Sequence, residues 1–336
     1  MSDETLHFEA AINPYGCSPK VVETIERIAR RREYRFYGEP DAATLRELLA
    51  ARHDLAPENF VVSNGAGEAL AWTFLIKLVM RPGRLIAPYP SYERFVEAGK
   101  RYSSELIEVA LDEKNFSLSL ESLINKTREN RATLGLISNP NNPSGNRLLD
   151  EQSLVNLLDE TPECLWIVDE AYADYTGLSF ARLVRERSNL IVLRTFSKAY
   201  GLAGLRVGCA VAHRSVARQL ASVRLPWAVN SLSLAAAQAA LEDHDYLNGV
   251  VARIHEDCRS FYSELCKFPF FHVHESAANF FLIRLIDIEP ERLKQHLAAH
   301  KIRVRSRPDM PNHIRVTSML PHDNRYLLNV LQEFET

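Results

Sequence analysis

An α/β fold built around a mainly parallel sheet is what this sequence predicts. Through the first two thirds of the chain, short apolar runs alternate with longer stretches patterned for helix. The runs are apolar at nearly every position, as strands buried on both faces are, and strands separated by helices are joined by crossovers that leave them parallel. No internal repeat period and no low-complexity stretch interrupts the alternation, which excludes a solenoid.

Taken in order, Phe60-Val61-Val62-Ser63 is the first run, followed by a helical stretch from Glu68 to Met80. Arg84 to Ala87 precedes the amphipathic Ser91 to Arg101, and Leu106 to Val109 follows. Thr133 to Ile137 leads through a Pro-rich turn into the helical Asp150 to Asp159, and Leu165 to Val168 and Leu190 to Leu193 complete the set. After about residue 230 the character changes. An Ala/Leu-rich helix from Leu232 to Leu241 leads into another from His255 to Lys267, then come strand-like Phe280 to Arg284, Lys301 to Arg305 and His313 to Thr317 and a final helix. The pattern predicts an N-terminal segment (1–30) packed with a small domain, a large domain (31–230) and the small α+β domain itself (231–336).

With 336 residues, 46% hydrophobic and 25% charged, the chain has soluble globular composition and enough length to bury a core without staples. A net charge of −3 gives no general attraction to nucleic acid or anionic membrane. The start, Met1 to Thr5, is acidic and polar, unlike a signal peptide, and no run has the length and apolarity of a membrane helix, so a cytoplasmic protein is expected. Five cysteines, an odd number without a C-x-x-C pair, read as reduced structural thiols. His272 and His274 flank Val273 on one face of a short strand; with no third ligand nearby they read as a surface or core pair, and no metal is expected.

In open parallel sheets ligands bind beyond the carboxyl ends of the strands, so polar residues directly after apolar runs are the ones to inspect. Four such junctions stand out. Ser63-Asn64-Gly65-Ala66-Gly67-Glu68 places small residues at a helix start, where free backbone N–H groups attract anions. It is not a dinucleotide fingerprint: Leu70 holds the third glycine position, and the next strand ends Ile86-Ala87-Pro88 with no acidic residue for a ribose. Ser138-Asn139-Pro140-Asn141-Asn142-Pro143-Ser144-Gly145 is a tight turn that gathers side-chain amides. Asp169-Glu170-Ala171-Tyr172 puts a carboxylate at the end of a buried strand, where it needs a positive or donor partner. Arg194-Thr195-Phe196-Ser197-Lys198 brings hydroxyls and a lysine together ahead of the glycines of Gly201 to Gly208.

One ligand accounts for all four. Pyridoxal 5'-phosphate requires a lysine amine to bond its aldehyde, a carboxylate to keep its ring nitrogen protonated, an aromatic face to stack on, and donors with positive charge for its phosphate. The chain offers Lys198, Asp169, Tyr92, and the group of Ser197, Arg206 and Gly67.

These residues, with Ala11-Ile12-Asn13-Pro14-Tyr15-Gly16, Tyr37-Gly38-Glu39-Pro40, Pro226-Trp227-Ala228-Val229-Asn230, Ala278-Asn279-Phe280 and Ile314-Arg315-Val316, span nearly the whole chain. Through them it resembles the fold-type I pyridoxal-phosphate enzymes of the class I and II aminotransferases, on the histidinol-phosphate aminotransferase-like branch. The resemblance implies the fold-type I transferase architecture, with a seven-stranded sheet in the large domain. It also implies roles. Lys198 would bond the cofactor and then act as general base, Asp169 would partner the ring nitrogen, and Tyr172 and Asn142 would bond the ring hydroxyl. Tyr92 would stack on the ring, and Ala66, Gly67, Thr195, Ser197 and Arg206 would surround the phosphate. Tyr37 would reach the phosphate of a neighbouring subunit, which implies a homodimer with shared sites; Arg315 would receive a substrate carboxylate, with Asn279 beside it. Arg303, Arg305 and Arg307 alternate on one strand face, either as a solvated edge or as substrate-phosphate ligands, with Arg305 the choice among them.

The implied activity is transfer of an amino group between an amino acid or amino-alcohol phosphate and a 2-oxo acid, within amino-acid biosynthesis. Some positions point elsewhere. Ile12 and Gly67 stand where the aminotransferase branch favours Glu and Asp, and Ala-Ile-Asn-Pro, Asn-Gly-Ala-Gly-Glu and Pro-Trp-Ala-Val-Asn are similar to threonine-phosphate decarboxylases. Decarboxylation of an O-phospho amino acid is therefore the alternative reaction, and a non-catalytic cofactor-binding module is a third reading.

Overall fold

The computed structural model describes residues 5–334. Met1 to Glu4, the acidic start noted above, lie outside the described residues. In chain order the elements open with β1 (Leu6–His7), α1 (Pro19–Arg31), α2 (Ala43–His53), β2 (Phe60–Ser63) and α3 (Ala66–Phe74). Next are β3 (Arg84–Tyr89), α4 (Glu93–Tyr102), β4 (Glu105–Ala110), α5 (Leu120–Glu129), β5 (Leu134–Ser138), α6 (Glu151–Glu160), β6 (Leu165–Asp169), β7 (Leu190–Thr195) and β8 (Gly208–Ala212). The remainder comprises α7 (Arg214–Val223), α8 (Ser231–Glu242), α9 (His244–Leu265), β9 (Phe271–Val273), β10 (Phe280–Leu285), α10 (Pro290–Ala299), β11 (Ile302–Arg303), β12 (Arg305–Arg307), β13 (Met310–Thr317) and α11 (Pro321–Gln332).

Seven strands form the central sheet in the order β2-β8-β7-β6-β5-β3-β4. All pairings are parallel except those of β8, which runs antiparallel to both β2 and β7. Alternate residues of each strand feed two separate cores. Val62, Ile137, Trp166, Val168 and Val192 pack on one side, Val61, Leu136, Leu165, Ile167 and Ile191 on the other. This two-sided burial is why the runs read as continuously apolar. Gly135 is required by close approach: a Cβ there would lie 2.2 Å from the Trp166 ring.

Helix starts are fixed by side chains that accept orphan N–H groups: Ser18 for α1, with Pro19 at the first helical position, Asp150 for α6 and Asn230 for α8. A four-stranded antiparallel sheet, β12-β13-β10-β9, lies in the C-terminal part, and β1 pairs in parallel with β11.

Several expectations are corrected. The helix predicted from His255 begins at His244, where Leu247, Val250 and Ile254 continue the buried stripe. The predicted Lys301 to Arg305 strand is two pieces, β11 on β1 and β12 on β13. Arg303 is therefore separated from Arg305 and Arg307, which both line the cavity described below. A register shift between Ser306 and Arg307 adds a second irregularity.

Because β2, β5, β6 and β7 point the same way, the four polar junctions fall at one edge of the sheet. Ser63 and Thr195 both pair with Gly208, and Ser138 pairs with Asp169.

Candidate active site

A cavity of about 520 Å³ opens at that edge, roofed by residues of β12 and β13 and by the segment after β1. One end of it is an anion cradle. Helix α3 starts at Ala66 without a side-chain cap, so its first backbone N–H groups lack intrahelical acceptors. Gly65 makes that start possible: its φ is +81°, and a Cβ there would lie 2.5 Å from Nη2 of Arg206. The Arg206 guanidinium therefore rests directly on the glycine. Its Nη1 donates to Ser197 Oγ at 3.5 Å and to Ala203 O at 3.1 Å, and Thr195 Oγ1 donates to Ser197 Oγ at 3.0 Å. Ala66, Gly67, Thr195, Ser197 and Arg206 all line the cavity.

Asp169 sits at the C-terminal end of β6, where Ala171 N donates to its Oδ1 at 3.2 Å. Burial pushes its carboxyl up to about 6, against the lowering by the Ala171 N–H and the Lys198 ammonium; the neighbouring Glu170 carboxylate pushes the same way as burial. The ionised form thus lacks full compensation from the protein. A cationic N–H donor placed in the cavity would supply it.

Lys198 Nζ lies between the two ends, donating to Ala11 O at 3.1 Å and 5.2 Å from the centroid of the Tyr172 ring. Tyr172 packs edge-on against Phe280 and Tyr92 edge-on against Phe95, leaving both tyrosines on the cavity wall. An anion cradle, a buried carboxylate in need of a cationic donor, and a lysine between them, with aromatic walls, fit pyridoxal 5'-phosphate in its phosphate, ring nitrogen and aldehyde.

Opposite the cradle stands Arg315, on β13. Its Nη1 donates to Asn142 Oδ1 at 2.8 Å, its Nη2 to Glu9 O at 2.6 Å, and the guanidinium lies 4.7 Å from the centroid of the Phe280 ring. It is buried, which pushes its pKa down, and it forms no ion pair among the described residues. Arg305 also lines the cavity but is paired with Glu93; Arg307 is held by Asp309 (Nε to Oδ1, 2.9 Å) and by Ser91 O at 2.6 Å.

Not every residue singled out in the sequence reaches the cavity. Asn279 is fully buried and donates through Nδ2 to Ile12 O at 2.8 Å, behind the wall. Tyr37 is 84% exposed and leans on Trp227, with ring centroids 5.2 Å apart. Arg303 is exposed and does not line the cavity; it pairs with Glu9, which does. His272 and His274 stand with ring centroids 4.7 Å apart on the small sheet. Conversely, Glu9, Glu93, Arg94 and His313 line the cavity without having been singled out. Glu93 and Arg94 open α4 a few residues after the end of β3, so a strand-end signal was available for them; His313 carried no such signal.

Comparison with known proteins agrees with this geometry. Residues 4–331 match the family model for aminotransferase class I and II. A histidinol-phosphate aminotransferase of Roseiflexus castenholzii is 32% identical over 98% of this chain and 90% of its own length. Among solved structures, a histidinol-phosphate aminotransferase from Sinorhizobium meliloti in complex with pyridoxal-5'-phosphate superposes with a TM-score of 0.87 at 23% identity, over 98% of this chain and 91% of that one. L-threonine-O-3-phosphate decarboxylase from Porphyromonas gingivalis gives 0.84 at 26%, over 98% and 99%. The chain belongs to the class I and II aminotransferases and is a pyridoxal-phosphate-dependent transaminase of fold type I.

Proposed function

We propose that this transaminase takes its amino group from an amino-alcohol phosphate or an amino acid and passes it to a 2-oxo acid, in the manner of a histidinol-phosphate aminotransferase. The observation that carries this reading is Arg315, a buried guanidinium without a carboxylate partner among the described residues, facing the cavity that Lys198 also lines. Such a group is completed by an anion from outside, as a phosphate or carboxylate of either substrate would provide.

The site roles follow. What the cofactor supplies when bound is an electron-accepting ring conjugated to the substrate's amino carbon. Lys198 would hold the cofactor, and its Nζ would serve as the base that takes the proton from the substrate's Cα and the acid that hands it to the cofactor's carbon. Asp169 holds the proton on the ring nitrogen, Tyr172 and Asn142 bond the ring hydroxyl, and Tyr92 covers the ring face. Ala66, Gly67, Thr195, Ser197 and Arg206 hold the phosphate; Arg305 serves the distal end of the substrate, with Glu93 as the partner it leaves or keeps. Asn279 acts from behind, through Ile12.

The exposed Tyr37, beside Phe36 and Trp227, forms part of a homodimer contact through which it reaches the neighbour's cofactor phosphate. We further propose residues 1–30, 31–230 and 231–336 as the functional division of the chain, and a cytoplasmic role in amino-acid biosynthesis. No helix among the described residues is long and apolar enough to cross a membrane.

A decarboxylase reading is favoured by the similarity to the Porphyromonas gingivalis enzyme, together with Ile12, Gly67 and the decarboxylase-like motifs of the sequence. One experiment separates the two. Cofactor-loaded protein is mixed with histidinol phosphate alone and with O-phosphothreonine alone. Conversion of the cofactor absorbance to that of its amine form by histidinol phosphate supports the transaminase reading; carbon dioxide release from O-phosphothreonine, with no change of cofactor form, overturns it.

A further inference from the structure

The cofactor contacts proposed above come from separate segments: Asp169 ends β6, Tyr172 lies in the turn after it, and Thr195 ends β7. Consecutive residues of an extended strand point to opposite faces. Asp169 and Thr195 line the cavity, whereas their chain neighbours Glu170 and Arg194 do not. Those two meet on the other side. Arg194 Nη1 donates to Glu170 Oε2 at 2.9 Å, and Nη2 to Asp174 Oδ1 at 2.6 Å.

The three side chains are 9% exposed or less, so the network is shielded from solvent. Glu170 is anchored further by Phe180 N and Ser179 Oγ, each at 2.6 Å, and its own N–H bonds Leu193 O at 3.0 Å. One guanidinium thus spans the strand end that carries Thr195, the residue adjoining Asp169, and the short helical turn, Ala173–Tyr175, that follows Tyr172.

We propose that Arg194 is a positioning residue: by tying Glu170 and Asp174 to the end of β7 it sets, from behind the sheet, the spacing between the groups that hold the cofactor ring and those that hold its phosphate. The inference rests on the assignment of Asp169, Tyr172 and Thr195 as cofactor contacts. A planar guanidinium suits the task because it serves two carboxylates at once in fixed directions, which a lysine ammonium at the end of a flexible stem does not.

The test measures cofactor binding, not turnover. Cofactor-free protein is titrated with pyridoxal 5'-phosphate, the visible circular dichroism of the bound form is recorded, and the cofactor-free protein is melted. Two variants are used: Arg194→Lys, which keeps the charge but can bridge only one carboxylate, and the neutral triple Arg194→Met, Glu170→Gln, Asp174→Asn, which leaves no buried charge unpaired. In each, cofactor affinity is expected to fall on the order of 10- to 100-fold, the range seen when groups supporting a ligand-holding side chain are removed, with an altered dichroism band. The melting temperature of the cofactor-free neutral triple is expected to stay near wild type, whereas Arg194→Lys, which leaves one buried carboxylate unpaired, is expected to melt lower. Wild-type affinity and dichroism in the neutral triple overturn the proposal, as does a loss of affinity in it that only matches a loss of fold. Asp169→Asn and Thr195→Val serve as controls: if both bind cofactor as tightly as wild type, the contact assignment is what fails.

Discussion

Arg315 Nη1 donates to Asn142 Oδ1 at 2.8 Å, joining the small C-terminal sheet to the turn after β5 on the wall of the cavity. The bond couples two functions. Asn142 is oriented by the same guanidinium that is proposed to meet the substrate, so under that proposal the substrate side and the cofactor side of the site share one hydrogen bond. Arg315→Lys keeps the charge but loses the fork. Hydrogen bonds to charged groups contribute roughly 1.5–3 kcal/mol, so KM for the amino donor and the 2-oxo acid is expected to rise about 10- to 100-fold. Steady-state kinetics on both substrates check this; a rise for only one of them would assign Arg315 to that substrate alone.

Gly65 is held by two constraints, its φ of +81° and the Arg206 guanidinium lying where a Cβ would project. Gly65→Ala is expected to lower stability by about 1–3 kcal/mol, the cost of forcing a side chain into a backbone region reserved for glycine. It also displaces Arg206 from Ser197. Both a lower melting temperature and weaker cofactor binding are expected, and addition of free phosphate should protect the variant less than it protects wild type.

Most of the sheet was legible because strands buried on both faces leave continuous apolar runs, and the site was legible because four of those runs end in polar residues. β8 was missed for the converse reason. Cys209-Ala210-Val211-Ala212 is short and rich in small residues, directly follows a glycine loop, and owes its strand conformation to β2 and β7 on either side. The break between Arg303 and Arg305 was invisible since β11 and β12 pair with different partners, and partners far apart in sequence leave no local mark. The same limit hid the Glu170–Arg194–Asp174 network. Glu170 and Arg194 sit in motifs noted for their neighbours and Asp174 follows one of them, and only the folded structure shows that they meet.

Lys198 is expected to be the one lysine trapped when cofactor-loaded protein is reduced with borohydride and digested. Among the described residues its Nζ makes a hydrogen bond to Ala11 O. Substituting Lys198→Ala should cut turnover by about 10²- to 10⁴-fold, the span of general-base contributions. Peptide mapping of the reduced protein identifies the labelled residue directly. Label on another lysine would remove Lys198 from its role while leaving the fold and family intact.

Asp169 makes the stability of the cofactor-free protein depend on pH in a defined direction. Its carboxyl is raised by burial from an ordinary value near 3.8 to about 6. A group raised on folding contributes fully below its unfolded value, and that contribution is lost as pH climbs through the folded one. Above pH 6 the buried carboxylate is charged and the whole cost is present, roughly 3 kcal/mol from the size of the shift. Asp169→Asn removes the titration. Cofactor-free Asp169→Asn should therefore be more stable than cofactor-free wild type at pH 8, with the gap about 1 kcal/mol narrower at pH 5. Melting both proteins at the two pH values checks this, and a gap that is constant or widens toward acid would show that Asp169 is not held up by burial. Loaded with cofactor the order should reverse: the ring nitrogen supplies the missing cationic partner for Asp169, so wild type gains stability that the Asn variant does not.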